Sequence, residues 1–126
     1  MILGLLFFAS PACAAELPED WAAFHDAVVE VHVGRTEGAE ERWLVMRYLA
    51  PQIARDGGSL GYEDVAEEMD ALCNGEGLST ALAHESPVDQ IVITLMDRVV
   101  ERGQPDPEAT QFIASYDVTE AGCEWR

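Results

Sequence analysis

A serine between glycines is the residue best suited to catalysis in this sequence. Residues 57–61 read Gly-Gly-Ser-Leu-Gly and match G-x-S-x-G, the turn that presents the nucleophilic serine of α/β-hydrolases. Such a serine needs a histidine to take its proton and a carboxylate to orient that histidine. Residues 51–56 separate this serine from the preceding predicted strand, and only His84 follows it. Ser59 is therefore a candidate nucleophile, and a flexible turn leading into a helix is the competing, favoured interpretation.

The histidines and carboxylates do not match a known metal site. His25 and His32 lie seven positions apart on a predicted strand, and His84 lies in a predicted loop, so no pair has the i, i+4 spacing of a helical zinc site. The short acidic stretch at Asp106 and Glu108 lacks the spaced oxygen ligands of a calcium loop. We therefore predict surface or capping roles for the histidines, with no metal and no cofactor.

The first fifteen residues predict export. Residues 2–9 form an apolar run, and Ala12, Cys13 and Ala14 follow it as an A-x-A-like cleavage site, although the first basic residue is only Arg35. Cleavage of residues 1–15 would leave residues 16–126 as one domain in the periplasm or outside the cell. The run is shorter than the roughly 20 apolar residues that cross a bilayer, so no stable membrane insertion is expected after cleavage. A lipoprotein acylated at Cys13 is the alternative.

Cleavage at this point leaves two cysteines, Cys73 and Cys123. An even number of cysteines in an oxidising compartment predicts one disulfide between them. They do not form a C-x-x-C motif, so a structural bridge is favoured over a catalytic redox pair. Two unpaired buried thiols are the remaining alternative.

The charge of the chain restricts its partners. The sequence has 24 acidic side chains against 7 basic ones, all of them arginine, and a formal net charge of −17. A surface of this charge repels phosphate backbones and anionic lipids, which argues against nucleic-acid and membrane binding. A basic protein partner is compatible with it, and solubility alone is the competing explanation. Hydrophobic residues make up 48% of the chain, a fraction typical of one folded domain rather than of disorder.

Hydrophobic periodicity predicts a small α+β domain. Residues 27–33 alternate as a half-buried strand, and residues 42–50 form a strand that is apolar on both faces and pairs with it as a hairpin. Residues 62–73 have helical spacing, with Asn74-Gly75 as the stop and a further helical segment over 78–83. Residues 90–96 and 110–119 are predicted strands. The predicted order is β-β-α-β-β, with the helix on an antiparallel or mixed sheet and one disulfide.

The last residues are predicted to return as a short strand. Cys123 and Trp125 lie two positions apart and would therefore share one face of it. A bridge from Cys123 to the helix would make that face the buried one. Trp125 is accordingly predicted to be a structural anchor whose ring covers the disulfide and the Leu72 end of the helix.

Several short segments resemble a family of short exported bacterial proteins whose domain has no assigned function. The segments are Trp43-Leu44, Arg47-Tyr48-Leu49-Ala50-Pro51, Gly58-Ser59, Tyr62-Glu63, Leu72-Cys73, Gln90-Ile91-Val92-Ile93, Asp106-Pro107-Glu108-Ala109-Thr110-Gln111 and Cys123-Glu124-Trp125. The resemblance covers most of residues 26–125. It implies a periplasmic location and a paired Cys73 and Cys123, and it assigns no catalytic residue. The sequence thus favours a non-catalytic interaction or accessory module, with a small serine hydrolase using Ser59 as the alternative.

Overall fold

The computed structural model describes residues 17–33 and 38–126, and the predicted leader with Cys13 lies outside these residues. Five strands form one mixed sheet in which the spatial order follows the chain order. The strands are β1 (Ala23–Val33), β2 (Glu40–Leu49), β3 (Gln90–Met96), β4 (Gln111–Thr119) and β5 (Gly122–Trp125). Only the β2–β3 pair is parallel, because the helical segment connects these two strands. The other neighbouring pairs are antiparallel.

The α+β class, the mixed sheet and the disulfide are confirmed, and the strand order needs one addition. The predicted order β-β-α-β-β did not count the short terminal strand. That strand forms and pairs with β4 through Val118 and Cys123, so the full order is β-β-α-β-β-β. The alternation of residues 27–33 between the two faces of the sheet is also confirmed, but the predicted half-burial is not, because Ala27, Val31 and Val33 are exposed. Ala27 and Val29 lie opposite Met46 and Leu44 of β2, on the side that carries the core.

The helical layer differs from the prediction at its C-terminal end. Helix α1 spans Tyr62–Leu72, but the chain does not stop at Asn74-Gly75. It continues through a π-helical turn, Cys73–Gly77, into α2, Leu78–Ala83. The N-terminus of α1 is fixed by Asp64, whose carboxylate accepts the Gly61 N–H at 2.7 Å. A wider turn of this kind is costly in isolation, so tertiary contacts must hold it.

Three contacts hold the π turn against the sheet. Cys73, which is fully buried, forms the disulfide with Cys123 of β5. The amide oxygen of Asn74 accepts the backbone N–H of Cys123 at 3.1 Å. Glu76 accepts the buried Tyr48 hydroxyl at 2.7 Å. The π turn is therefore fixed by both β2 and β5.

One face of the sheet packs on the helical layer and contains the main core. Its buried side chains include Leu44, Met46, Tyr48, Ile91, Ile93, Leu95, Ala114 and Tyr116 from the strands, with Val65 and Met69 from α1. Tyr116 donates its hydroxyl to Asp70 of α1 at 2.6 Å. Burial, together with the carboxylate partners, raises the pKa of the Tyr48 and Tyr116 hydroxyls well above the ordinary value. Both hydroxyls therefore stay protonated and donate to the helical layer at any ordinary pH.

The opposite face of the sheet is called the open face here. Loop 97–110 covers only the end of this face near Met96, where Val100 and Ala109 bury that side chain in a small second cluster. Within the described residues, none of the helices has the length and apolar character that spanning a membrane requires.

Candidate functional site

The Ser59 segment is a tightly hydrogen-bonded turn. The backbone carbonyl of Gln52, in a short 3₁₀ turn at Pro51–Ile53, accepts the N–H groups of both Ser59 and Leu60 at 2.9 Å. Gly57 has a φ of +80°, a left-handed conformation that glycine adopts without strain. The backbone of this turn thus requires the first glycine of the G-x-S-x-G match, Gly57, whereas Gly61 has a φ of −94° and room for a side chain.

The histidines all make contacts elsewhere. His84 accepts the Ser86 N–H at Nδ1, at 3.2 Å. His32 stacks on Trp43 with 3.8 Å between ring centroids and lies 3.0 Å from Glu30. His25 lies 3.9 Å from an Asp26 oxygen. Among the described side-chain hydrogen bonds, none joins a histidine to Ser59, so the structure does not assemble the relay that a serine nucleophile needs.

Gly58 should be the most sensitive residue of this turn. A Cβ atom at this position would lie 2.0 Å from the Ala54 carbonyl oxygen, which is part of the backbone and cannot rotate away. We expect Gly58→Ala to lower the free energy of unfolding by about 2 kcal/mol, within the range for overpacked sites. Gly75→Ala is the matched control, because nothing lies within 4 Å of its Cβ position. Urea unfolding of both variants checks this, and equal midpoints would contradict it.

An arginine on β2 and an aspartate on β1 form the main polar contact of the open face. Arg47 is only 8% exposed, and its guanidinium donates two hydrogen bonds to Asp26, at 2.8 and 2.6 Å. It also donates to the backbone carbonyl of Val100 in loop 97–110. Arg102 of the same loop donates to Asp26 at 2.8 Å. This cluster ties β1, β2 and the loop together, and no local sequence pattern predicts it.

The register of β1 places Asp26 beside Arg47. The pairing shifts between Phe24 and Asp26, so His25 forms a bulge in the strand. After the bulge, Asp26 lies directly opposite Arg47 and on the same face. Phe24, before the bulge, packs on the ring of Tyr48 with 5.8 Å between centroids. The bulge therefore places Phe24 and Asp26 on opposite faces of the sheet, although residues two positions apart in a regular strand share one face.

The Asp26 carboxylate should contribute to the free energy of unfolding at neutral pH, and this contribution should be lost in acid. Its hydrogen bonds from Arg47 lower the pKa of Asp26 below the ordinary value and outweigh the opposing effect of burial. A lowered folded-state pKa gives stability that is fully present above the unfolded value near 4 and is lost as the pH falls through the folded value. We expect Asp26→Asn to be less stable than the native chain at pH 7, with the difference narrowing below about pH 4. Urea unfolding from pH 7 to pH 2.5 measures it, and a constant difference would refute it.

The outer edge of β1 is the longer of the two free strand edges of the sheet, within the described part of the chain. Within these residues β1 pairs only with β2, so alternate N–H and C=O groups along its 11 residues face outward. The opposite edge, β5, is only 4 residues long. A long edge strand is a template on which another strand can pair.

An apolar stripe runs along the helix side of β1. We define the β1 stripe as Phe24, Ala27, Val29, Val31 and Val33. Val29 packs partly against the core, but the helical layer leaves the rest of the stripe uncovered, since Val33 is 88% exposed and Phe24 and Val31 are also exposed. A groove of about 340 Å³ lies beside the Phe24 end, between that ring and Ser79 and Thr80 of α2. The stripe is the kind of exposed apolar surface that marks an interaction site.

A second cleft, of about 420 Å³, lies where the loops that follow β2 and β3 meet, and it contains two arginines. Arg98 already pairs with Asp97 at 3.2 Å. Arg55 donates to the carbonyl of Ala109 at 2.8 Å and to that of Pro107 at 3.1 Å. Burial alone would raise the pKa of Asp97, but hydrogen bonds from Thr110 and Arg98 outweigh it and lower the pKa. These charged groups already pair with other residues of the same chain, so the cleft is better explained as the place where two loops pack together.

Two further predictions concern particular residues. The disulfide between Cys73 and Cys123 is present, with a sequence separation of 50. The predicted burial of Trp125 is wrong, because its side chain is 67% exposed although β5 forms as expected. The side chain of Asn74 contacts the Cys123 backbone, and Trp125 lies opposite Tyr116 as the last paired residue of β5. In the described residues, no group of three or more His, Cys, Asp or Glu is arranged to hold a metal ion.

Comparison with known proteins gives one match. A family model described as a family of unknown function (DUF6497) matches residues 9–126. No curated protein and no solved structure matches significantly. The match covers β1, the helical layer and the disulfide together.

Proposed function

The chain belongs to this family of unknown function, and from that premise we propose that it is an exported, non-catalytic module that binds a basic protein through β1. The observation that carries the proposal is the exposed β1 strand. It combines a long unpaired edge with an apolar stripe that the helical layer leaves uncovered. Natural proteins protect such edges by shortening them or with lysine, proline, other charges or bulges. β1 has no lysine or proline, and its bulge at His25 leaves residues 26–33 as a regular edge whose charged side chains are Asp26 and Glu30.

The charge of the domain supports a basic partner. Between Arg55 and Arg98 the chain contains no arginine or lysine, whereas α1 and the segments around it carry many carboxylates. Four arginines at one end of the sheet are engaged with Asp26, with Asp97 or with backbone carbonyls. The remaining field is strongly negative, and such a field attracts cationic proteins and accelerates their association.

Two features support export. The apolar run at residues 2–9 and the small residues after it fit a cleaved signal peptide. The disulfide fits an oxidising compartment, where such bonds form and persist. The non-catalytic part of the proposal is supported by Ser59, because this serine lies in a turn and has no histidine partner among the described residues.

Site-specific photo-cross-linking in the native host tests this function. A photoreactive residue at Val31, on the β1 stripe, is expected to give an adduct whose second peptide comes from a protein of net positive charge. The matched control is Leu82 on α2, which is 83% exposed but lies off β1. Raising the salt concentration should reduce the Val31 adduct, because screening weakens attraction between exposed charges. Equal adducts from both positions, or an adduct only between two copies of this chain, would overturn the proposal.

A further inference from the structure

We infer that the basic partner adds an extended segment beside β1 as a sixth strand, and that this segment alternates apolar and basic residues. This inference rests on the proposed function and specifies its binding mode. It follows from the outward backbone groups of β1 and from the different character of its two faces. Strand addition of this kind uses main-chain hydrogen bonds for affinity and side-chain alternation for specificity.

The helix side of β1 selects apolar residues. Side chains directly opposite each other on paired strands share a face and lie within contact distance. A segment paired with β1 would therefore place alternate residues next to Val29, Val31 and Val33. Apolar residues there would remove the β1 stripe from water, and a side chain near Phe24 could enter the groove beside Ser79 and Thr80.

On the open face of β1, Glu30 is the side chain that favours a basic residue in the added strand. The side chains of this face after the bulge are Asp26, Val28, Glu30 and His32. Asp26 is already neutralised by Arg47 and Arg102. The Glu30 carboxylate contacts only the His32 ring among the described side-chain contacts, and its side chain is 45% exposed. A lysine or arginine opposite or diagonal to Glu30 would therefore complete the pair.

The same reasoning disfavours a second copy of this chain as the added strand. β1 contains no lysine or arginine, so an antiparallel copy would offer Glu30 neither of these cations in any register. Each copy also carries a net charge of −17. Repulsion between the two copies would oppose the pairing that the apolar stripe favours.

Capped nine-residue peptides with the purified disulfide-bonded domain test the pattern. The probes alternate valine with lysine, with serine or with glutamate, and they carry a fluorophore for anisotropy. We expect the valine–lysine peptide to bind about tenfold more tightly than the valine–serine peptide at low salt, and the glutamate peptide to bind least. Hydrogen exchange should show protection of alternate β1 amides in the complex, as strand pairing requires.

Variants locate the two parts of the recognition. Glu30→Gln should reduce the preference for lysine over serine to about threefold or less, because only the long-range field remains. Val31→Asp should weaken all three peptides, whereas Leu82→Asp, at an equally apolar exposed position, should change none of them. Circular dichroism and the urea midpoint confirm that each variant is folded.

The outcomes separate this inference from the proposed function. Equal binding of the serine and lysine peptides, with β1 protected, would overturn the charge pattern and leave the β1 surface in place. Protection elsewhere, or none with any peptide, would overturn strand addition, while the Val31 cross-link would still report whether the surface binds a protein. If β1 amides became protected with rising protein concentration and no peptide, a second copy of this chain would be the added strand, and the inference of a basic partner strand would be overturned.

Discussion

Replacing both Cys73 and Cys123 by alanine is expected to lower the free energy of unfolding by about 4 kcal/mol. The bridge closes a segment of 50 residues, and a cross-link of that span restricts the unfolded chain by about this amount in the chain-entropy description. Stabilities of small domains are commonly about 5–15 kcal/mol, so the loss is a large share of the total. The melting temperature should fall by more than about 10 °C.

The measurement is urea unfolding of the double variant beside the native chain. Asn74→Ala is the control, because it removes the contact to the Cys123 N–H but leaves the bridge intact. We expect that control to cost about 1 kcal/mol. Reduction of the native chain with a thiol should reproduce the double variant, and a loss below about 1 kcal/mol in both would show that the bridge is not a major source of stability.

The second large effect is expected at Arg47. Arg47→Met keeps most of the side-chain volume but leaves Asp26 and the Val100 carbonyl without their main donor. Breaking a largely buried pair by removing one partner costs about 3–5 kcal/mol, and the lower end applies here because Asp26 is partly exposed and keeps Arg102. We therefore expect a loss of about 3 kcal/mol.

Arg102→Met is the matched control for Arg47. Arg102 also donates to Asp26, but its side chain is much more exposed than that of Arg47, so its removal should cost about 0.5 kcal/mol. Urea midpoints of the two variants give the comparison. Equal losses would mean that the buried environment of Arg47 adds nothing to the ion pair.

The sequence predicts the elements that alternate or repeat regularly. Residues 27–33 place Val29 and Val31 on one side, and the apolar spacing of residues 62–72 fits one helical face, so periodicity alone locates β1 and α1. Residues 90–96 are apolar except for Gln90 and Thr94, because β3 lies between two strands and is buried along its whole length. In α1 and β3 the local pattern and the tertiary environment agree, whereas Val31 lies on the apolar face of β1 and is nevertheless exposed.

The features that the sequence does not predict depend on distant contacts. Asn74-Gly75 has the composition of a helix stop, but the disulfide and the Tyr48–Glu76 hydrogen bond keep the chain helical there. The Arg47–Asp26 pair depends on the bulge at His25, which sets the register of two strands. Trp125 is exposed because it is the last paired residue of a four-residue edge strand. The β1 edge becomes visible only when the strand order is known.

The single parallel pair has a consequence for the order of folding. Trp43 of β2 meets Gln90 of β3, so this seam joins residues 47 positions apart, whereas β1–β2 and β3–β4–β5 are built from nearer neighbours in the chain. The domain thus consists of an N-terminal ribbon and a C-terminal three-stranded meander that can each form early. Pairing β2 with β3 requires the helical connection to pack against the sheet. Contacts between residues this far apart in the sequence form slowly during folding. Until then Leu44 and Ile91, which become neighbours only at the seam, belong to two separate half-sheets whose inner edges are both unpaired.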